Sequence, residues 1–289
     1  MSGLKEIRKR ISSVKNTQKI TKAMKMVSAA KLRRAQERAQ ASRPYAEELQ
    51  KIVRNILAEH ELDSPLCHER KVEKALVVVI GADRGLCGSL TSNLLKRAHK
   101  EIESSGISTE VFAFGKKAVN YFQKRSVPIF KKEVDLMKRV DFSFVKEISS
   151  ELQSKFSSEA VDRIDVVYNE FFSPVVQKPR VERLLPLSIE SQLEDGEEGL
   201  ESSLKSFKYE PEAKVLVRDL LPMLIDFQIY RAFLESFASE HAARMAAMDS
   251  ASNNARDMIG RLTLKKNRAR QAAITKELME IIGGAEAIA

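Results

Sequence analysis

The chain has 289 residues, 43% apolar and 31% charged, with no Trp; this is enough to bury a sizeable core in one or two domains. Two cysteines, Cys67 and Cys87, exclude a disulfide framework and a CxxC-type metal site, and no apolar run approaches the roughly 18 residues of a membrane span. The formal net charge is +9, yet residues 1–36 hold eleven Lys/Arg against the single acid Glu6. That segment alone sums to about +10, leaving the rest of the chain near neutral.

Residues 3–58 contain one proline, Pro44, and one glycine, Gly3, among strong helix formers. They predict an N-terminal helix over 1–58, bent where Pro44 removes an amide donor. At 1.5 Å per residue it reaches about 80 Å, too long for one small domain to pack. The start lacks the apolar stretch of a signal peptide. Its helical pattern continues unbroken into residues 37–57, so it reads as mature structure rather than a presequence.

An α/β domain is expected over 74–190. "KALVVVI" (74–80) is a buried-strand run; "TEVFAFG" (109–115), "VPIF" (127–130), "RIDVVYNEFF" (163–172) and "KPRVERLLPL" (178–187) supply further strands. Helical patterns lie between them, up to Ser104, in "KKAVNYFQKR" and over about 141–157. Alternation of this kind predicts a partly parallel sheet. Residues 191–210, within an acidic glycine-containing stretch, read as a linker. From 211 to 289 the chain is helical again, with Pro222 starting or kinking a helix and Gly283–Gly284 closing it. Leu220, Phe227, Leu234, His241, Met248, Ala255, Leu262 and Ala269 recur every seven residues, the mark of a coiled coil. The fold class is therefore α/β: a long antiparallel coiled coil of N- and C-terminal helices with an inserted Rossmann-like domain.

On a wheel of about 100° per residue, Leu4, Ile7, Ile11 and Val14 share one sector, while Thr17, Ile20, Met24 and Val27 fall nearly opposite. Met24 and Val27 are thus expected to face inward. Arg8, Lys15, Lys19, Lys22 and Arg33 share the outward sector with Met26, and Lys25 sits at its edge. Solvated faces usually mix signs; a face this uniformly positive points to an acidic partner, protein or nucleic acid. Nucleic acid is the weaker reading, because no aromatics interleave and no nucleic-acid motif is present. A nucleic-acid-binding coiled coil would show salt-sensitive DNA binding.

Residues 261–276 repeat this character, with six basic residues and no acid. "GADRGLCG" (81–88) has the spacing GxxxGxxG, which fits neither common phosphate-loop pattern. A tight turn is the simpler reading; an enzyme binding nucleotide there would need Mg²⁺-dependent binding by the isolated chain. The four histidines show no metal-ligand spacing, and no nucleophile motif occurs. No catalytic, cofactor or metal site is expected.

"LKEIRKRISSVKNTQKITKAMKMVSAAKLRRAQ", "GADRGLCGSLTSNLLK", "FLESFASEHAARMAAMDSASNNA" and "NRARQAAITKELMEIIGGAEA" closely resemble the γ subunits of F-type ATP synthases, in order and across essentially the whole chain. The resemblance implies a rotor shaft inside a ring of three α and three β subunits. Its α/β insert would lie near the ε subunit and the c-ring. Such a subunit transmits torque between proton flow and ATP synthesis or hydrolysis and does no bond chemistry. The resemblance also implies that Met24 and Lys25, with Met26 beside them, meet the acidic lever loop of β. Arg244, Arg270, Gln271 and Thr275 match coupling and upper-shaft contacts with β, and Tyr209 and Glu210 the contact with the c-ring. Lys266 stands where many relatives carry tyrosine, so packing at that level is expected to differ. The cysteine pair of chloroplast relatives is absent. The expected location is the inner face of a bacterial cytoplasmic membrane, as a peripheral protein.

Overall fold

An unbroken run of β-branched and apolar residues forms a central strand because both its faces must be covered. Lys74–Ile80 is that strand, β1, buried at every position after Lys74. The computed structural model describes residues 2–59, 64–135, 140–187, 210 and 212–286. Around β1 the chain order is α1 (Ser2–Glu59), β1, α2 (Leu90–Ser105), β2 (Ser108–Phe114), α3 (Lys116–Gln123), β3 (Ile129–Glu133), α4 (Phe142–Ser157), β4 (Arg163–Phe171), β5 (Gln177–Leu185) and α5 (Ala213–Glu286). Of the linker expected at 191–210, only Glu210 lies within the described residues.

The five strands lie in the order β3-β2-β1-β4-β5. Pairing is parallel except for β4 with β5. Parallel neighbours require helical crossovers, and the first four strands reproduce the order of a Rossmann half. Alternate residues of β1 serve opposite faces. Val77 and Val79 pack with Leu94 and Ala98 of α2 and Val119 and Phe122 of α3. Leu76, Val78 and Ile80 pack with Leu152 of α4, Val53 and Ile56 of α1, and Leu224, Ile225 and Phe233 of α5. The ends of both long helices therefore belong to the sheet's own core.

Contacts divide the chain into two units, Met1–Ala29 with Arg244–Ala289, and Ala30–Ala243. Lys25 meets Asp249 in the first; Tyr45 lies against Phe227 in the second, ring centroids 4.8 Å apart. Numbers rise on one helix as they fall on the other, so α1 and α5 run antiparallel.

Of the start or kink expected at Pro222, the start does not occur, and the cap expected at Gly283 is overruled. Helix α5 passes through Pro222 without restarting. The proline forfeits one backbone hydrogen bond, but burial of Leu221, Leu224 and Ile225 against the sheet offsets it. Nor does Gly283 cap the helix, which continues to Glu286. Small residues let α5 approach the strand ends. Ser236 Oγ donates to the Ile80 carbonyl at 3.1 Å, and Ser239 Oγ to that of Asn169 at 3.0 Å.

Beside these contacts sits a charged cluster. Glu182 of β5 accepts from Tyr168 Oη at 2.8 Å and from Arg231 at 2.9 Å. Arg180 binds Glu170 at 2.7 Å. Glu235, one turn beyond Arg231, reaches its guanidinium only at 3.9 Å, and its Oε2 is buried with no hydrogen-bond partner.

Candidate interaction surface

In the unit of residues 1–29 and 244–289, α1 turns toward its partner the residues Leu4, Ile7, Ile11, Val14, Gln18, Thr21, Lys25 and Ser28, all buried or half-buried. Their spacing alternates three and four, the 3.5-residue period of a left-handed pair. On α5 the matching line is Met245, Met248, Ser252, Ala255, Ile259, Leu262, Lys266, Ala269 and Ala273. Four of the eight members of the expected seven-residue series, Met248, Ala255, Leu262 and Ala269, fall on it; the other four belong to the second unit.

This seam corrects the expected facing of α1. Lys25, expected at the edge of the outward face, is half-buried in the seam, its Nζ 2.6 Å from Asp249 Oδ1. Val27, expected inward, is 56% exposed, and Ile20 of the same stripe is 60% exposed. A seam drifts only about 20° per heptad on a straight helix. It therefore continues from Val14 through Gln18, Thr21, Lys25 and Ser28, whatever their polarity. Thr21 satisfies its hydroxyl by donating to the Gln18 carbonyl at 3.1 Å. Met24 is half-buried, and Met26 faces outward at 60% exposure as expected.

Arg8, Lys15, Lys19 and Lys22 are exposed, so the basic face exists. Arg33, further along α1, is less purely a free cation, with Nε 2.9 Å from Glu37 Oε1. On α5, Arg270, Gln271 and Thr275 are exposed, whereas Arg244 is buried. Sequence reasoning singled out the donors of this end. It passed over Ile274, Leu278, Met279, Ile281 and Ile282, all large apolar residues left exposed. Lys266 takes a half-buried seam position. Glu210 is exposed, and Tyr209 lies outside the described residues. The proposed contacts thus separate into levels: Lys25 stands opposite Asp249, and Arg270 lies about 30 Å further along α5.

The glycine loop after β1 is a packing device. Gly81 N donates to the Phe114 carbonyl at 2.9 Å. Asp83 Oδ1 accepts from the backbone of Lys116 at 3.0 Å and of Asp135 at 3.1 Å. Its carboxylate thereby covers the N-terminus of α3. Among the described residues no His, Cys, Asp and Glu cluster into a metal site. Two surface depressions, of about 350 and 430 Å³, are lined by Gln123 to Lys132 and by Ser143 to Ser150, without a histidine or cysteine in either lining. The paired helices present an exposed basic face, an uncovered apolar strip on α1 and an apolar end on α5.

The model of the ATP synthase family matches residues 3–288. An ATP synthase gamma chain of Pelotomaculum thermopropionicum is 43% identical over 289 residues, covering all of both chains. One of a Geobacter species is 46% identical over 292 residues, covering 100% of this chain and 99% of the other. A chain of the central stalk and c-ring of the Tetrahymena thermophila mitochondrial ATP synthase matches with TM-score 0.61 and 25% identity, over 81% of this chain and 99% of its own. One from the Euglena gracilis mitochondrial ATP synthase, in a rotational-state structure, matches with TM-score 0.71 and 21% identity, over 99% and 95%. With full-length matches at these identities and the paired helices flanking a sheet domain, the chain belongs to the family of ATP synthase gamma chains.

Proposed function

We propose that this chain is the central-stalk rotor subunit of a proton-translocating F-type ATP synthase, transmitting torque between the c-ring and a catalytic ring of three α and three β subunits. Full-length family membership carries the reading. The uneven surface of the helix pair supports it. The chain does no bond chemistry and needs no cofactor or metal of its own.

Coupling works by position. A ligand equilibrium shifts only as far as contacts differ between states. A shaft with a basic face, an apolar strip and an apolar end presents each β subunit with a different surface as it turns. Met24, Lys25 and Met26 engage the acidic lever of β. Arg270, Gln271 and Thr275 form the upper contact, with Arg244 positioned from within the helix pair. Tyr209 and Glu210 meet the c-ring, with ε nearby. The subunit works peripherally at the cytoplasmic face of a bacterial membrane. Among the described residues no helix is long and apolar enough to cross a membrane.

Purification in mild detergent tests the reading. One copy recovered with three α and three β supports it; recovery bound to nucleic acid, without α or β, ends it. A second test is Met24→Lys. An added cation beside Lys25 creates extra ties to acidic β groups, so proton pumping per ATP should fall, while at this half-buried position the chain should lose only about 1 kcal/mol of stability. Normal pumping in reconstituted vesicles would refute the placement of Met24.

A further inference from the structure

We propose that Asp249 is a positioning residue that holds the Lys25 ammonium in place of an external carboxylate and so limits how tightly the shaft grips its acidic partner. The inference rests on the rotor reading above and deepens it.

Three observations carry it. Lys25 Nζ lies 2.6 Å from Asp249 Oδ1, with the side chains 42% and 47% exposed. A pair this exposed contributes little net stability, so a carboxylate arriving from outside can exchange with it at small cost. Lys25 is also flanked in the seam by Thr21 and Ser28, both buried. The position is half-buried between small neighbours, yet 42% of the side chain stays exposed. Finally, between Arg244 and Lys276 only Asp249 and Asp257 are acidic. A carboxylate set opposite a lysine on so basic an element subtracts charge where a partner would feel it. When the acidic group of β approaches, Lys25 swings from Asp249 to it; when the shaft turns on, Asp249 takes the ammonium back. The intrachain acid keeps the cation from forming a contact too strong to release.

The test uses the reconstituted complex of this chain with α, β and ε, with Asp249→Asn, Lys25→Gln and the double variant. Assembly is scored first: a wild-type chain that does not assemble with α and β overturns the rotor reading itself. Given assembly, Asp249→Asn should slow ATP hydrolysis about two- to fivefold at low salt, the range of a half-exposed ion pair. Raised salt should relieve the slowing, and Lys25→Gln in the same chain should abolish it. Lys25→Gln alone removes the contact with β together with the intrachain pair, so any change it makes in turnover should not be relieved by salt. A pair that merely ties the helices together predicts otherwise, since both single variants would then lose the same tie and be impaired alike. Equal impairment, salt-relieved slowing that persists in the double variant, or an unchanged rate in Asp249→Asn would each overturn the proposal. Should Asp249→Asn fold poorly, Asp249→Glu keeps the pair and should turn over as wild type; slowing there overturns the proposal.

Discussion

Gly115→Ala should destabilise the α/β unit by about 3 kcal/mol or more, a large fraction of the roughly 5–15 kcal/mol by which a domain is stable. Gly115 lies between β2 and α3 at φ +88°, and an added Cβ would sit 2.4 Å from the Gly81 carbonyl oxygen and 2.8 Å from its carbon. Both are backbone atoms, held where Gly81 N donates to Phe114 O and Gly115 N to Glu133 O. Neither can move without parting β1 from β2. Strain in the disallowed backbone region adds to the overlap. Gly106, the C-cap of α2 at φ +63°, has nothing within 4 Å of an added Cβ. Gly106→Ala should therefore cost only about 1 kcal/mol, from backbone conformation alone. Urea unfolding of the full chain compares them. Equal midpoints for the two variants would show that the close approach of Gly115 to Gly81 is unimportant.

Glu235→Gln should stabilise the chain above pH 7 and flatten its stability between pH 4.5 and 7. Burial pushes the Glu235 carboxyl from 4.5 up to about 7; Arg231 opposes the rise, and Glu170 and Glu182 add to it. Three carboxylates, Glu170, Glu182 and Glu235, here share two guanidiniums, Arg180 and Arg231, with Tyr168 also facing the cluster. In that window the folded chain keeps a proton that the unfolded chain has released, so stability falls as pH rises through it. At 1.36 kcal/mol per pH unit the loss is on the order of 3 kcal/mol, an upper figure because the side chain is 23% exposed. Gln imitates the protonated form and carries no such slope. Asp226 and Asp165, raised chiefly by burial, leave a residual slope in the variant. Thermal melting from pH 5 to 8.5 reads the difference; the same slope in both proteins would remove Glu235 as its source.

Most of the sheet was legible because its signals are local. The runs at 74–80 and in "RIDVVYNEFF" report burial within a few residues, and β1 and β4 lie where those patterns fall. The seam of α1 was not legible, since Gln18, Thr21, Lys25 and Ser28 occupy it while Ile20 and Val27 stand outside. Polarity there followed neither partner nor core. Only the 3.5-residue geometry and a carboxylate 224 residues away identify the inward face. Gly283 misled for a related reason: it is strong local punctuation overridden by the helix around it, and Pro222 likewise starts no new helix. In the candidate surface, composition alone disclosed the basic face. The burial of Arg244 and the apolar end at Ile274–Ile282 needed the fold. So did the Glu235 cluster, whose members come from β4, β5 and α5.

The distance between Lys25 and Asp249 along the chain also sets a schedule for synthesis. Ribosomes add about 5–20 residues per second, so Asp249 follows Lys25, 224 residues earlier, by roughly 10–45 s. For that interval the first helix is a nascent, strongly cationic peptide beside polyanionic ribosomal RNA, with no complementary strand of its seam yet made. The last elements translated are the ones that release it, and pairing of the two termini is the step that ends its exposure.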